Sequence, residues 1–232
     1  MPSTHMLAMQ HFDTCHLLTL ASIATVAILL IQGCRKLGNP ANSLLTTPLA
    51  YLCFLSFPAT LISWSLATTE STLENTVPLH LCDLASFACG FALLTRHKTM
   101  CELAYYWGLA GTVQGLLTPV IAYSFPHPLY LAFFWQHGVV VITALLLPLG
   151  LGWRPRKNSV LRIFLITQLY VVVAMSFNFA AGTNYGFLSA KPKTASLLDL
   201  LPAWPYYILV MEVICLAIFS LLYLPFRTKS LK

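Results

Sequence analysis

Long apolar stretches alternate with short polar connections along the whole chain. Seven stretches each run for roughly 17 to 24 residues, close to the roughly 20 that an α-helix needs to cross the hydrocarbon core of a bilayer. Several have a proline near one end, where the N–H that proline lacks would be unpaired anyway. The pattern predicts an all-α bundle of about seven transmembrane helices. The predicted spans are about 17–33, 44–67, 78–95, 103–123, 129–151, 161–181 and 204–226.

The composition supports a membrane protein over a soluble one. Of the 232 residues, 58% are hydrophobic and only 9% are charged, whereas a soluble domain carries about a quarter charged residues. We therefore expect a single transmembrane domain over residues 1–232. Its first sixteen residues contain no Lys or Arg, which argues against a cleavable signal peptide. In a bacterium we expect the protein in the plasma membrane, and in a eukaryote in an endomembrane.

The basic residues are distributed unequally between the connections. Most of the 13 Lys and Arg follow the first, third, fifth and seventh spans, while the opposite connections carry only Lys191 and Lys193. The positive-inside rule then places the N-terminus outside and the C-terminus in the cytoplasm. The net charge of +6 therefore reports orientation and contact with anionic lipid headgroups. It does not indicate a nucleic-acid partner.

Several polar residues within the spans share one depth, close to the predicted outer face. Ionisable groups at such positions usually face the bundle interior or a water-filled cavity. A shared layer therefore predicts a single cavity open to the outer side or the outer leaflet. The connection from 182 to 203 is unusually long and is a candidate lid. The candidate residues are His80, Cys82, Asp83, Gln114, Thr118, His137, Asn178 and Glu212 in the spans, and Asn184, Tyr185 and Lys191 in the long connection.

Helical spacing separates the members of the motif "HLCD", which spans residues 80–83. His80 and Asp83 are three residues apart and share a face, whereas Cys82 lies about 200° from His80. A histidine that activates Cys82 must then come from another helix, and His137 has the matching depth. Such a pair would produce a thiolate nucleophile, and Asp83 or Glu212 could orient the imidazole.

Each candidate also has a purely structural explanation. The seven cysteines form no CxxC pair and no metal-finger spacing, and a thiol in a membrane helix commonly serves as a small packing residue. His137 could bond a neighbouring carbonyl, and Glu212 could be a protonated carboxyl that ties two helices together. We expect no disulfide framework.

Six blocks of sequence carry a resemblance to a known family. They are "PLHLCDLA", "ELAYYWGLAGTVQGLLTP", "FFWQHG", "GTNYGFLSAKP", "WPYYI" and the closing "LPF". In this order they resemble the YwaF-like family of integral membrane proteins, whose eukaryotic branch is known as transmembrane protein 164. The resemblance covers roughly 78–226, and the first two spans carry little of it. The stretch "LPAWPYY" departs from the family, which favours Gly-Pro-Trp-Pro there.

The resemblance implies an activity. The eukaryotic branch is described as a phospholipid acyltransferase that transfers a fatty acyl chain to lyso ether phospholipids. The cysteine of its "HLCD" block and the histidine of its "QHG" block are thought to act in catalysis, and they match Cys82 and His137. This implies a cysteine thioester, a phospholipid donor and a lysophospholipid acceptor, with neither metal nor cofactor. From position alone, Gln114, Asn178 or Asn184 could donate to the oxyanion, and Lys191 or Lys193 could contact the lipid phosphate.

Other functions remain open from the sequence. A related lipid hydrolase would form the same thioester. A transporter or a solute- or proton-binding protein could use the same outer-half cluster, although the inner halves of the spans offer few polar groups for a pathway. A metal or haem site built from His80, Cys82 and His137 has suitable ligand types, but His80 and Cys82 diverge on a regular helix.

Overall fold

The computed structural model describes residues 9–38, 43–67, 72–192 and 196–227, and within them it contains helices and no β-strand. The membrane-length helices begin and end at recognisable signals. For example, Asp13 caps the first by accepting a hydrogen bond from His16 N at 2.7 Å. The helices are α1 (Thr14–Leu37), α2 (Ser43–Ala67), α3 (Leu73–Thr76), α4 (Leu81–Thr95), α5 (Lys98–Trp107), α6 (Val113–Leu117), α7 (Pro128–Gly150), α8 (Ser159–Ala181) and α9 (Tyr206–Arg227).

Six helical segments within the described residues are long and apolar enough to cross a membrane. They are α1, α2, the α3–α4 segment Leu73–Thr95, α7, α8 and α9. Each coincides with a predicted span. The all-α prediction is therefore confirmed, and the chain is a multi-pass integral membrane protein.

The fourth predicted span differs from the other six in helix type and in hydropathy. It forms a continuous helical stretch in which a π-helical segment, Gly108–Thr112, joins α5 to α6. From residue 98 to 117 it rises about 30 Å, yet it is not among the six segments that qualify by hydropathy. Its helix ends at Leu117, earlier than predicted, because Thr118 precedes Pro119 and leaves the helical region at φ −131° and ψ 70°.

Helix α7 lies at the centre of the bundle. Of its most apolar 18-residue window 78% is buried, against 11% for α1 and for α9. Small residues on α4 allow its neighbours to approach closely. An added Cβ at Gly90, for example, would lie 2.5 Å from the ring of Phe54 on α2. The α4–α7 interface that carries the candidate residues therefore lies inside the bundle.

Basic residues from separate connections gather at one end of the bundle. Arg35, at the end of α1, donates from Nε to Leu149 O near the end of α7 at 2.6 Å. Arg96, after α4, donates to Thr46 Oγ1 near the start of α2 at 3.3 Å. The predicted clustering of cations on one side is thus present in the fold. The membrane face to which this end corresponds stays a prediction.

A buried carboxylate organises the same end. Glu102 is fully buried and accepts hydrogen bonds from Arg156 Nη2 at 2.7 Å and Arg162 Nη1 at 3.0 Å. Arg156 also donates from its backbone N to Glu102 Oε1 at 3.0 Å. Hydrogen bonding to this carboxylate raises the pKa of Arg156 above its ordinary value. The cluster ties the start of α5 to the connection between α7 and α8.

We expect the change Glu102→Gln to destabilise the protein, because the two guanidinium groups lose their negative partner. Hydrogen bonds to charged groups contribute about 2 kcal/mol each, and the half-exposed arginines recover part of this by hydration. Thermal unfolding in detergent should show a lower Tm. The control is Arg154→Gln, because Arg154 is exposed and forms no ion pair among the described residues. Equal Tm values for the two variants would contradict the assignment.

Candidate functional site

The motif at residues 80–83 forms the first turn of α4. His80 is the N-cap residue, in extended conformation, and its backbone N donates to Asp83 Oδ2 at 3.1 Å. A carboxylate three residues into a helix commonly bonds back to the cap in this way. It also interacts favourably with the positive end of the helix dipole. One Asp83 oxygen is therefore committed to starting the helix.

The second oxygen of Asp83 reaches across to α7. Gln136 Nε2 donates to Asp83 Oδ1 at 2.8 Å, and both side chains are buried. Gln136 lies eight residues after Pro128, or about 12 Å along α7. The start of α4 is therefore recessed into the bundle. Gln136 is absent from the residues predicted from the sequence, although an amide beside His137 inside an apolar span is a sufficient signal.

His137 presents one ring nitrogen for chemistry. Its Nδ1 lies 2.9 Å from Phe133 O, and because a carbonyl only accepts, Nδ1 carries the proton. In the neutral ring Nε2 then has a free lone pair. Among the described residues no hydrogen-bond partner of Nε2 is found. The ring stacks on Phe133 at 3.9 Å, and its Nε2 edge faces Gly115 on α6.

The first turn of α4, which carries Cys82, and His137 on α7 both approach one face of the helix from 108 to 117. Cys82 is half-buried and follows Leu81, whose Cδ2 would lie 3.4 Å from a Cβ added at Gly111, and His137 lies against Gly115. Gly111 and Gly115 are four residues apart and share a face. The first turn of α4 and the imidazole thus pack on one short surface. In the part of the chain that the structure describes, the Cys82 thiol and the His137 ring are not hydrogen-bonded to each other.

His80 faces the long connection after α8. Its ring packs on Tyr185 with centroids 4.8 Å apart. The Tyr185 hydroxyl shares its single proton between Leu73 O and Val77 O. Burial raises the pKa of Tyr185 to about 12, with further contributions from the charges of Glu74 and Asp83. The hydroxyl therefore keeps its proton, and the connection is held over the start of α4.

The side chains of Asn178 and Asn184 hydrogen-bond to the backbone of this connection. Asn178 Oδ1 accepts from Tyr185 N at 2.7 Å, and its Nδ2 donates to Tyr185 O at 3.0 Å. Asn184 Oδ1 accepts from Ser189 N at 3.0 Å, and its Nδ2 donates to Ala190 O at 2.8 Å. The predicted donation of these amides to an oxyanion therefore has no support in the geometry. Their side chains hold the loop that covers the site.

Four other candidates lie apart from the cluster. Gln114 is exposed, and the hydroxyl of Thr118 bonds back to its carbonyl at 3.1 Å. Glu212 accepts from Gln168 on α8. Depth alone did not reveal which helix face these side chains occupy. Lys191 donates to Leu201 O at 2.7 Å and lies over a tyrosine ring, while Lys193 lies outside the described residues.

His16 lies in the first turn of α1, fully buried, with Nε2 2.8 Å from Leu116 O. It fastens α1 to α6. Among the residues that the structure describes, no group of three His, Cys, Asp or Glu side chains is arranged to hold a metal ion.

The packing of His137 against α6 can be tested by substituting two glycines. An added Cβ at Gly115 would lie 2.6 Å from His137 Cδ2, whereas one at Gly111 meets Leu81 Cδ2 at 3.4 Å, an ordinary contact. Both Gly→Ala changes gain the same helix propensity, about 1 kcal/mol, so their difference isolates the contact. We expect Gly115→Ala to lower the free energy of unfolding relative to Gly111→Ala by about 1–3 kcal/mol, the cost of overpacking. Its Tm should therefore be the lower of the two, and its His137 imidazole NMR signals should shift. Identical behaviour of the two variants would refute this placement.

Comparison with known proteins supplies the family. Curated proteins and solved structures yield no match to the chain. The model of the TMEM164 family matches residues 6–223. The match includes the first two helices, which carried little of the resemblance seen in the sequence, and it agrees with the eukaryotic branch named there. The chain therefore belongs to the TMEM164 family.

Proposed function

We propose that the protein is a membrane acyltransferase that moves a fatty acyl group between phospholipid and lysophospholipid through a thioester on Cys82. The observation that carries the proposal is the packing of His137 and of the first turn of α4, which carries Cys82, against one face of the helix from 108 to 117. The free Nε2 of His137 supplies a base. The start of α4 places the positive end of the helix dipole next to Cys82.

In the first half-reaction Cys82 Sγ gives its proton to His137 Nε2 and attacks the ester carbonyl of the donor lipid. The ester C–O bond breaks, and the departing alcohol takes the proton from His137, which leaves the acyl group on sulfur. The thiol and Nε2 are not hydrogen-bonded in the described structure, so this step requires them to close together, or a water to bridge them, when lipid binds. Catalytic hydrogen bonds are commonly long before substrate is present.

In the second half-reaction the hydroxyl of a lysophospholipid attacks the thioester carbonyl. Its proton passes to His137 Nε2, the C–S bond breaks, and the sulfur recovers the proton. Water in place of the lipid hydroxyl would produce a hydrolase. The connection held by Tyr185 over the start of α4 favours transfer, because it restricts access of bulk water from that end.

A lipid substrate agrees with the location of the reactive groups. Gln136 and its bond to Asp83 place the start of α4 about 12 Å along α7. An acyl ester lies just inside the headgroup layer, so it can reach this depth without leaving the membrane. A soluble substrate would have to enter below the connection from 182 to 192.

Intact-protein mass spectrometry tests the proposal. Protein reconstituted with phospholipid should acquire the mass of one acyl group, which neutral hydroxylamine should remove as expected of a thioester. Cys82→Ala should lose both the adduct and acyl transfer to lysophospholipid. Cys215→Ala is the matched control, because Cys215 is also a half-buried thiol, on α9, and it should keep both. Acyl transfer that persists in Cys82→Ala would exclude Cys82 as the nucleophile.

A further inference from the structure

The last part of the connection between α8 and α9 exposes several large apolar side chains. Residues 196–206 contain a single charged residue, Asp199. Leu200 is 83% exposed, and Leu197 and Trp204 are exposed as well. Exposed apolar side chains that occur singly need no explanation, but a group of them marks a contact with a partner or with a membrane.

The local structure directs the two leucines to the same side. Leu197–Leu200 forms a 3₁₀-helix, in which side chains three residues apart lie on one edge. Leu197 and Leu200 therefore form an apolar edge. The carboxylate of Asp199 accepts a hydrogen bond from Ser196 N at 2.8 Å, as in a capping box. The one charge of residues 196–206 is thus bonded within the segment.

Trp204 has a bonded polar edge and an open apolar ring. Its Nε1 donates to Leu188 O at 3.1 Å, while its side chain is exposed. Tyr206, at the start of α9, is exposed too. Trp and Tyr are enriched where membrane helices cross the headgroup layer, because their rings are apolar at one end and polar at the other.

The position of the segment in the fold indicates what it contacts. The connection leaves α8 at Ala181 and enters α9 at Tyr206, and both helices are long and apolar enough to cross a membrane. Residues 196–206 therefore lie next to the boundary between hydrocarbon and headgroups. A second copy of the chain is a poorer candidate, because a stable protein interface takes about 20–30 residues on each side.

We propose that residues 196–206 form an interfacial anchor, in which Leu197, Leu200 and Trp204 insert into the headgroup–acyl boundary of the bilayer. The anchor recognises the lipid surface through apolar contact and is indifferent to headgroup charge, because the segment contains no Lys or Arg. The inference goes beyond the proposed acyl transfer and does not depend on it.

The anchor is fastened to the connection that covers the start of α4. Trp204 bonds to Leu188 O, and Lys191 Nζ donates to Leu201 O at 2.7 Å. In the same connection Tyr185 packs on the ring that precedes α4. Contact with the bilayer therefore helps to hold this cover in place.

Fluorescence quenching tests the depth of the anchor. The full chain is reconstituted in nanodiscs whose lipids carry bromine either near the headgroup or deep in the acyl chain. The Trp204 contribution is the emission of the unmodified protein minus that of Trp204→Phe. We expect shallow bromine to quench this contribution about twofold more strongly than deep bromine, because an interfacial ring lies about 5–10 Å into the headgroup–acyl boundary.

Trp135 supplies the depth control. It lies seven residues after Pro128 on α7, or about 10 Å along the helix, and its side chain is partly exposed. The difference between the unmodified protein and Trp135→Phe should therefore show the opposite order, with deep bromine the stronger quencher.

A pair of double variants tests the leucine edge. Leu197→Asp combined with Leu200→Asp should reduce quenching of Trp204 by bromolipid, increase its quenching by aqueous acrylamide, and speed amide hydrogen exchange in residues 182–192. Leu197→Met combined with Leu200→Met keeps the volume and the apolar character and should behave as the unmodified protein does.

Two results would overturn the inference. If bromine at neither depth quenches Trp204 while acrylamide does, the segment lies in water. If Trp204 is protected from both quenchers and the protein has the mass of a dimer, a second copy covers the segment.

Discussion

The interior of a membrane bundle penalises any polar group that lacks a partner, and Asp83 is the group for which this constraint has the widest consequences. Its carboxylate is buried, and hydrogen bonds to water are not available to it there. One oxygen accepts from the cap of its own helix, and the other accepts from Gln136 on α7. Satisfying this one side chain therefore fixes the start of α4 relative to the central helix.

The positions of the reactive groups follow from that bond. Cys82 precedes Asp83, and His137 follows Gln136, so each is displaced by about 100° from the bonded pair on its own helix. His137 packs on Gly115 of the helix from 108 to 117, and the first turn of α4 meets the same face at Gly111 through Leu81. The carboxylate does not contact the imidazole as the acid of a catalytic triad would. Its contribution is the alignment of two helices.

Hydropathy and charge predicted the helices because both depend on composition over many residues, and the match between the predicted spans and the six long apolar helices reflects this. The π-helical segment in the fourth span could not be predicted in this way. It adds a single residue to one helical turn, and this does not change the average hydropathy. For the site, the depth of Cys82 and of His137 could be predicted by counting residues. The facing direction of Gln114, Asn178 and Glu212 could not, because it depends on which neighbours pack on each helix.

The two ends of the bundle differ in whether a polar side chain is left without a hydrogen-bond partner. This difference determines where a side chain is available for chemistry. At one end Glu102 is saturated by two arginines, so its charge is fixed and unavailable. At the other end the polar groups are also paired, Asp83 with Gln136 and Tyr185 with the carbonyls before α4. Within the described part of that cluster, His137 Nε2 is left without a partner. This nitrogen can therefore take a new hydrogen-bond partner, while the surrounding network holds the other polar groups in place.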